Sequence, residues 1–156
     1  MKRLFLILLL FPFILFSQVK VDYRIKHKIS EDYELQIFSL KKQRGIDVSM
    51  TGSGGTIYEK AKKGYQYIEL MIKIKNISNS KKIVDFNKFQ IVDKNSNIYE
   101  TYLCVGNGLN KKKCEDYEFK LKPNKKRLAR INFKPLIPKN VEIKHIRFNG
   151  VNVVSF

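Results

Sequence analysis

The chain has 156 residues, with 31 Lys and Arg against 14 Asp and Glu, so its formal net charge is +17. This length suits one domain, and such a chain buries roughly two-thirds of its unfolded surface. Since 44% of the residues are hydrophobic and only two are cysteines, the composition excludes a disordered chain, a disulfide-dense miniprotein and a multidomain machine.

The first residues have the pattern of a secretory signal peptide. Met1-Lys2-Arg3 is a short cationic start, and residues 4–16 are unbroken apolar sequence. Such a run covers about 20 Å as a helix, well short of the ~30 Å hydrocarbon core of a membrane. We therefore predict a signal peptide over residues 1–18, cleaved between Ser17 and Val19. Because only Ser17 is small there, an uncleaved N-terminal anchor stays open as the alternative.

Export follows from this prediction. No cysteine follows the apolar run, so a lipid anchor of the bacterial lipoprotein type has no acceptor. The expected location is the periplasm, the outer surface or the extracellular medium. Without Lys2 and Arg3, the mature domain, residues 19–156, carries +15.

The two cysteines are expected to form a disulfide. Cys104 and Cys114 enclose nine residues, VGNGLNKKK, and an oxidising compartment favours a bond that closes such a loop. A redox pair would place the cysteines two residues apart, and a metal site would need more ligands than His27 and His145 supply. The sequence therefore predicts a structural disulfide, with no metal and no cofactor.

Alternation of apolar and polar residues predicts strands along the rest of the chain. The strongest signal is Ile68, Leu70, Ile72 and Ile74, which alternate with Glu69, Met71, Lys73 and Lys75. Asn149-Gly150 is a two-residue hairpin signal. The predicted strands are residues 19–29, 33–37, 68–74, 83–86, 89–92, 98–104, 114–121, 129–133, 143–148 and 151–156.

Short strands with frequent turns and no sustained helical period predict an all-β antiparallel sandwich or barrel. One Gly-rich segment, near residues 45–64, interrupts the pattern and is expected to be a mobile loop or a long link. It lacks the lysine and hydroxyl offsets of a phosphate-binding loop, so we assign it no phosphate.

Several motifs resemble the bacterial DUF4352 family, a domain of unknown function. Tyr67–Ser78 ends in K-N-x-S, Phe89–Asp93 resembles F-x-L-x-D with Ile91 at the leucine position, and residues 97–100 supply x-Y-x. Residues 121–125 and 131–135 match the later Leu-x-Pro turn and the strand that leads to a proline. The resemblance covers roughly residues 33–156.

The resemblance implies an immunoglobulin-like β-sandwich of the secreted mycobacterial antigen type, with no shared catalytic residues. Two features depart from the family pattern. Asn124 stands where a glycine usually follows the Leu-x-Pro turn, and the cysteine loop is an addition.

Catalytic patterns are absent from the sequence, and we predict that the chain is not an enzyme. His27 and His145 both lie in strand patterns and are interpreted as structural residues. The acidic residues are scattered, mainly at strand edges and turns, without the pairing that hydrolysis or calcium binding requires.

The remaining functional signal is the positive charge. A possible anion-binding cluster combines residues 111–113 with residues 125–127, namely Lys111, Lys112, Lys113, Lys125, Lys126 and Arg127. Against specific phosphate recognition, 25 of the 31 basic residues are lysine, whereas bidentate recognition favours arginine. A genome rich in A/T codons would produce the same lysine excess without any ligand.

Two functions are therefore expected. The first is a secreted or periplasmic binding module that contacts another envelope or extracellular protein without catalysis. The alternative is a basic surface that binds anionic envelope glycans or lipid head groups. Export removes most nucleic-acid targets, and the oligomeric state is not set by the sequence.

Overall fold

The protein is an antiparallel all-β structure. The computed structural model describes residues 25–49, 57–106, 111–134 and 136–156. The predicted signal peptide, and residues 19–24 of the predicted first strand, lie outside these ranges. Within them, no helix is long and apolar enough to cross a membrane.

Fourteen strands and two single-turn 3₁₀ helices, Phe86–Lys88 and Cys114–Asp116, occupy the described ranges. The strands are β1 (Lys26–Lys28), β2 (Tyr33–Gln43), β3 (Gly45–Asp47), β4 (Tyr58–Lys60), β5 (Tyr65–Asn76), β6 (Lys82–Val84), β7 (Phe89–Asp93), β8 (Ile98–Val105), β9 (Lys111–Lys113), β10 (Phe119–Leu121), β11 (Lys126–Lys134), β12 (Ile137–Pro138), β13 (Ile143–Phe148) and β14 (Val151–Ser155).

Most strands belong to one sheet, in which the order is β1-β2-β5-β11-β8-β7-β13-β14. Strand β9 adds to β8, and β12 adds to β5. The pairs β6–β10 and β3–β4 form two small separate sheets. Because β1 and β14 also contact each other, the large sheet curls until its two ends meet around the core.

The core forms because alternating residues of each strand face inward. Ile72 and Ile74 of β5, Ile131 and Phe133 of β11 and Ile146 of β13 are fully buried in one cluster. Strands from both ends of the large sheet and from the β6–β10 pair contribute to it. The predicted antiparallel β-sandwich is therefore confirmed.

A second, smaller cluster lies apart from this core. Ile46 of β3 packs with Tyr67 of β5 and Leu103 of β8. The Tyr67 hydroxyl donates a hydrogen bond to the Glu59 carboxylate on β4. Burial, together with this bond and the charge of Glu59, raises the pKa of Tyr67. These contacts hold the β3–β4 hairpin against the large sheet.

The β3–β4 hairpin lies within the Gly-rich segment that was expected to be a loop or a long link. Residues 45–64 were expected to form a loop, but both sides of the segment are paired strands, with Ile46 opposite Glu59. Gly45 is required at this pairing, because a Cβ there would lie 2.6 Å from the Glu59 carbonyl oxygen. Residues 50–56, the middle of the predicted loop, lie outside the described ranges.

The predicted Asn149-Gly150 turn adopts the backbone that its residues favour. Asn149 has φ 52° and Gly150 has φ 78°, which is the left-handed pair that a type I′ hairpin between β13 and β14 requires.

Two predicted strands are shorter than expected, since Phe86 and Cys114 each start a 3₁₀ turn instead of continuing a strand. Each of these side chains is nevertheless buried.

Candidate functional site

A basic groove crosses the outward side of β1, β2, β5 and β11. Its volume is about 250 Å³, and its lining residues are Lys26, Glu34, Gln36, Lys73, Lys75, Asn124 and Lys126. We call this set the lysine groove. Four lysines against one glutamate give it a formal charge of +3.

Strand register brings the lysines of the groove together. On β5, Ile72 and Ile74 point into the core, so Lys73 and Lys75 between them point outward. Lys126 of β11 lies directly opposite Lys75. Because directly opposite residues of paired strands share one face, Lys75 and Lys126 project into the same space.

The other side of the groove comes from β1 and β2. Gln36 lies opposite Lys73 on β5, and Lys26 lies opposite Gln36 on β1. The Lys26 ammonium is 3.7 Å from a carboxylate oxygen of Glu34. One of the four positive charges is therefore partly compensated within the groove.

The remaining lysines form no ion pair with a described carboxylate, although Glu34 lies directly opposite Lys75. Among the described residues, no carboxylate oxygen lies within 4.0 Å of the Nζ of Lys75 or Lys126. The ammonium of Lys73 lies 4.5 Å from the centre of the Phe38 ring, a cation–π contact that orients the side chain without cancelling its charge. Lys73 and Lys75 are both half-buried.

Asn124 closes one end of the groove from the turn before β11. Its φ of 58° lies in the left-handed region, which Asn tolerates better than most residues. This explains why asparagine can replace the glycine usual in the family at this point. The replacement adds an amide side chain to the groove.

The structure does not join the two predicted basic clusters into one site. Val105 of β8 lies opposite Lys111 on one side and Arg130 on the other, so a strand separates β9 from β11. Lys126 is four residues before Arg130, and at 3.3 Å per residue this adds about 13 Å along the strand. The backbones of the two predicted basic runs are therefore separated by strand β8 and by about 13 Å along the strands.

The members of each predicted cluster also differ in their surroundings. Lys113 lies 3.8 Å from Glu115. The Lys125 backbone belongs to the turn, in which its N–H donates to the Lys122 carbonyl. Arg127 follows Lys126 on β11 and so projects to the other face of the strand, where its guanidinium lies 5.9 Å from the centre of the Phe119 ring. Only Lys126 contributes to the lysine groove.

Sequence reasoning missed Lys26, Lys73, Lys75 and Asn124. None of these residues belongs to a run of charges, since Lys73 and Lys75 are separated by Ile74 and Lys26 precedes His27. The sequence did show that Lys73 and Lys75 alternate with buried residues of the strongest predicted strand, and so that both side chains point outward. Their partners required the register of β2 and β11, which alternation alone does not give.

The cysteine pair lies at disulfide-bonding distance. The Sγ atoms of Cys104 and Cys114 are 2.17 Å apart, and their Cα atoms 5.1 Å. Both residues are buried in the core cluster. Their burial and their core packing fit the structural role assigned from the sequence.

Neither histidine belongs to a catalytic arrangement in the described ranges. His145 Nδ1 lies 2.8 Å from the Ser155 hydroxyl, as the two residues are opposite each other on β13 and β14. No described carboxylate hydrogen-bonds to the His145 ring to complete a triad. The same part of the chain contains no group of three or more His, Cys, Asp or Glu able to hold a metal ion.

The buried acid Asp93 ends β7 and is also structural. Its carboxylate accepts hydrogen bonds from the N–H groups of Asn95 and Asn97, the Asn97 side chain and the Tyr99 hydroxyl. Burial alone would raise the pKa of Asp93, but these donors outweigh it and hold the pKa below its usual value. Burial and the Asp93 charge raise the pKa of Tyr99 to about 12.

Together these features define an antiparallel β-sandwich with a basic outward groove and no catalytic constellation among the described residues. The chain belongs to the family described as Domain of unknown function (DUF4352), whose profile matches residues 34–151. No curated protein matches the sequence.

Two crystal structures share the fold. One is an uncharacterized beta-sandwich protein from Clostridium difficile 630, with 13% sequence identity and a TM-score of 0.51 over 76% of this chain and 80% of that one. The other is a conserved hypothetical protein from Bacillus anthracis, with 16% identity and a TM-score of 0.51 over 81% of this chain and 94% of that one. At these identities the similarity shows the fold alone.

Proposed function

We propose that the protein is a non-catalytic binding module of the bacterial cell envelope that attaches to anionic surfaces through its basic face. The observation that carries this proposal is the lysine groove, in which four lysines outnumber one glutamate. Among the described residues, no carboxylate oxygen lies within 4.0 Å of the Nζ of Lys75 or Lys126. The signal-peptide pattern of residues 1–18 supports export to a compartment rich in anionic glycans and lipid head groups.

Lysine usage favours single contacts with the separate anionic groups of a surface over bidentate recognition by arginine. An ammonium group is a mobile point charge, whereas bidentate phosphate recognition relies on the planar guanidinium of arginine. Binding to a charged surface depends on how many such charges lie on one face. The lysine groove supplies that concentration on one side of the large sheet.

The test is binding of the protein, as cells produce it, to immobilised heparin and to phosphatidylglycerol vesicles. Retention should fall steeply between about 50 and 200 mM salt, because binding of several cations to a polyanion releases counterions. Phosphatidylcholine vesicles provide the uncharged control. Absent retention, or retention indifferent to salt, contradicts the proposal.

A protein partner is the second candidate function, and a separate observation favours it. Ile57, Tyr58 and Tyr65 are 59%, 53% and 42% exposed, although large apolar side chains gain free energy by leaving water. All three lie on or next to the β3–β4 hairpin and the start of β5. A photo-crosslinker placed at Tyr58 in living cells should then capture one defined protein, whereas a crosslinker at the exposed Lys94 should not.

A further inference from the structure

We propose that the lysine groove binds a single phosphate group, held between Lys75 and Lys126, and that this group belongs to a phosphodiester of the envelope. The inference rests on the proposed function, since it names the ligand chemistry of the same face. It goes further by assigning binding to one groove instead of to the total charge.

The first argument is the cross-strand pair of like charges. Lys75 and Lys126 are directly opposite each other, and directly opposite residues in a sheet have Cβ atoms about 5 Å apart. Like charges in this position destabilise a sheet, and no described carboxylate separates the two ammonium groups. An anion bound between them would replace repulsion by two favourable contacts.

The second argument is that part of the groove is already ordered. Lys75 is half-buried, and Lys73 is held against the Phe38 ring. Fixing a lysine side chain normally costs conformational entropy, so side chains restrained before binding lose less on contact with a ligand. Asn124 adds an amide donor at the groove end.

The charge and the size of the groove indicate the ligand. A net charge of +3 over about 250 Å³ favours an anion over a neutral sugar. A phosphate group has several oxygen acceptors and can contact two ammonium groups at once. The volume lies below the ~300 Å³ at which pockets for drug-sized ligands begin, so the groove suits a small anionic group and not a length of polymer.

Glu34 limits the site to one phosphate. Its carboxylate pairs with Lys26 on the β1 side of the groove, so a second anion there would meet a negative charge. Glu34 also lies directly opposite Lys75 on the β2 side, so we place the phosphate on the other side of Lys75, next to Lys126 of β11.

The experiment compares three double variants of the protein as cells produce it. Lys75→Gln/Lys126→Gln removes the proposed site. Lys62→Gln/Lys63→Gln removes the same charge from an exposed turn before β5, and Lys112→Gln/Lys113→Gln removes it from β9. Binding of poly(glycerol phosphate), phosphatidylglycerol vesicles and inorganic phosphate is measured by calorimetry at one fixed salt concentration.

We expect the groove variant to lose at least about tenfold in affinity for the phosphodiester probe, as loss of charge-assisted contacts implies, and each control variant to lose less than about threefold. Tighter binding of the soluble polymer identifies a phosphorylated glycan as the source, and tighter binding of the vesicles identifies a lipid head group. Without ligand, the groove variant should melt at the same temperature as the unmodified protein or higher, which shows that it folds.

Two results would overturn the inference, and they differ in what they say of the proposed function. If all three variants lose affinity equally, binding is diffuse, and the groove assignment fails while attachment to anionic surfaces stands. If the unmodified protein binds neither polymer nor vesicles, both fail together.

Discussion

The side-chain amide of Asn76 donates a hydrogen bond to the carbonyl oxygen of Leu121, 45 residues away, at 3.0 Å. The same nitrogen donates to the Ser80 carbonyl at 2.7 Å, and the Asn76 side-chain oxygen accepts from the backbone and hydroxyl of Ser78. Asn76 is fully buried. The K-N-x-S motif of the family therefore connects the end of β5 to β10 and is a structural element of the sandwich.

Replacing Asn76 by alanine should destabilise the fold strongly. The substitution leaves the Leu121 carbonyl and the Ser78 N–H without their Asn76 partner, and unsatisfied buried groups cost about 1–3 kcal/mol each. We expect Asn76→Ala to lower the free energy of unfolding by about 3 kcal/mol in urea denaturation, on this basis. Ser78→Ala, which removes only the hydroxyl contacts, should cost about 1 kcal/mol. Equal losses for the two variants would contradict the assignment.

Asp93 should make stability depend on pH in the acid range. Its pKa in the folded protein lies below the usual 3.8, so the unfolded chain takes up a proton first as the pH falls. The stability from the ionised carboxylate is therefore full above pH 3.8 and is lost as the pH drops through the folded-state pKa. The Asp93→Asn variant lacks this contribution to stability, because it has no carboxylate at position 93.

The measurement is the difference in unfolding free energy between the unmodified protein and Asp93→Asn from pH 6 to pH 2. The difference should be constant above about pH 5 and should shrink below pH 4, as proton linkage requires. Asp85→Asn is the matched control, because Asp85 caps an exposed turn through one hydrogen bond to the Asn87 N–H. A difference independent of pH would show that Asp93 does not act through its charge.

The bond between Cys104 and Cys114 should stabilise the folded protein. Closing a loop of this length restricts the unfolded chain and contributes about 3 kcal/mol in the chain-entropy description. We expect Cys104→Ser/Cys114→Ser to lose roughly this amount, and reductant to lower the melting temperature of the unmodified protein but not of the variant. Intact mass without reductant should be about 2 Da below the free-thiol value, since each disulfide lacks two hydrogens. Equal masses would refute the bond.

Alternation along single strands predicted the sandwich well, because inward residues such as Ile72 and Phe133 must leave water wherever their strands pair. The groove could not be predicted in the same way. Lys75 and Lys126 are 51 positions apart, and their meeting depends on the register of β5 and β11. A shift of one residue would place the side chains on opposite faces.

A run of basic residues in the sequence is likewise not the same as a basic face of the sheet. Runs of neighbouring charges, such as residues 125–127, are conspicuous in a sequence, but neighbours in a strand point to opposite faces. Lys126 consequently faces the groove, whereas Arg127 lies over Phe119. The hairpin of β3 and β4 was missed because three-residue strands are too short to show a period.

Replacing Ser39 by alanine should raise the free energy of unfolding, whereas replacing Ser78 should lower it. The Ser39 hydroxyl is buried on β2 without a hydrogen-bond partner among the described residues. Burying an unpaired hydroxyl costs about 1–3 kcal/mol, so Ser39→Ala should raise the free energy of unfolding, by about 1 kcal/mol once the small cavity is counted. Urea denaturation of both serine variants measures this contrast. A loss of stability in Ser39→Ala as large as that in Ser78→Ala would mean that the Ser39 hydroxyl has a partner in solution.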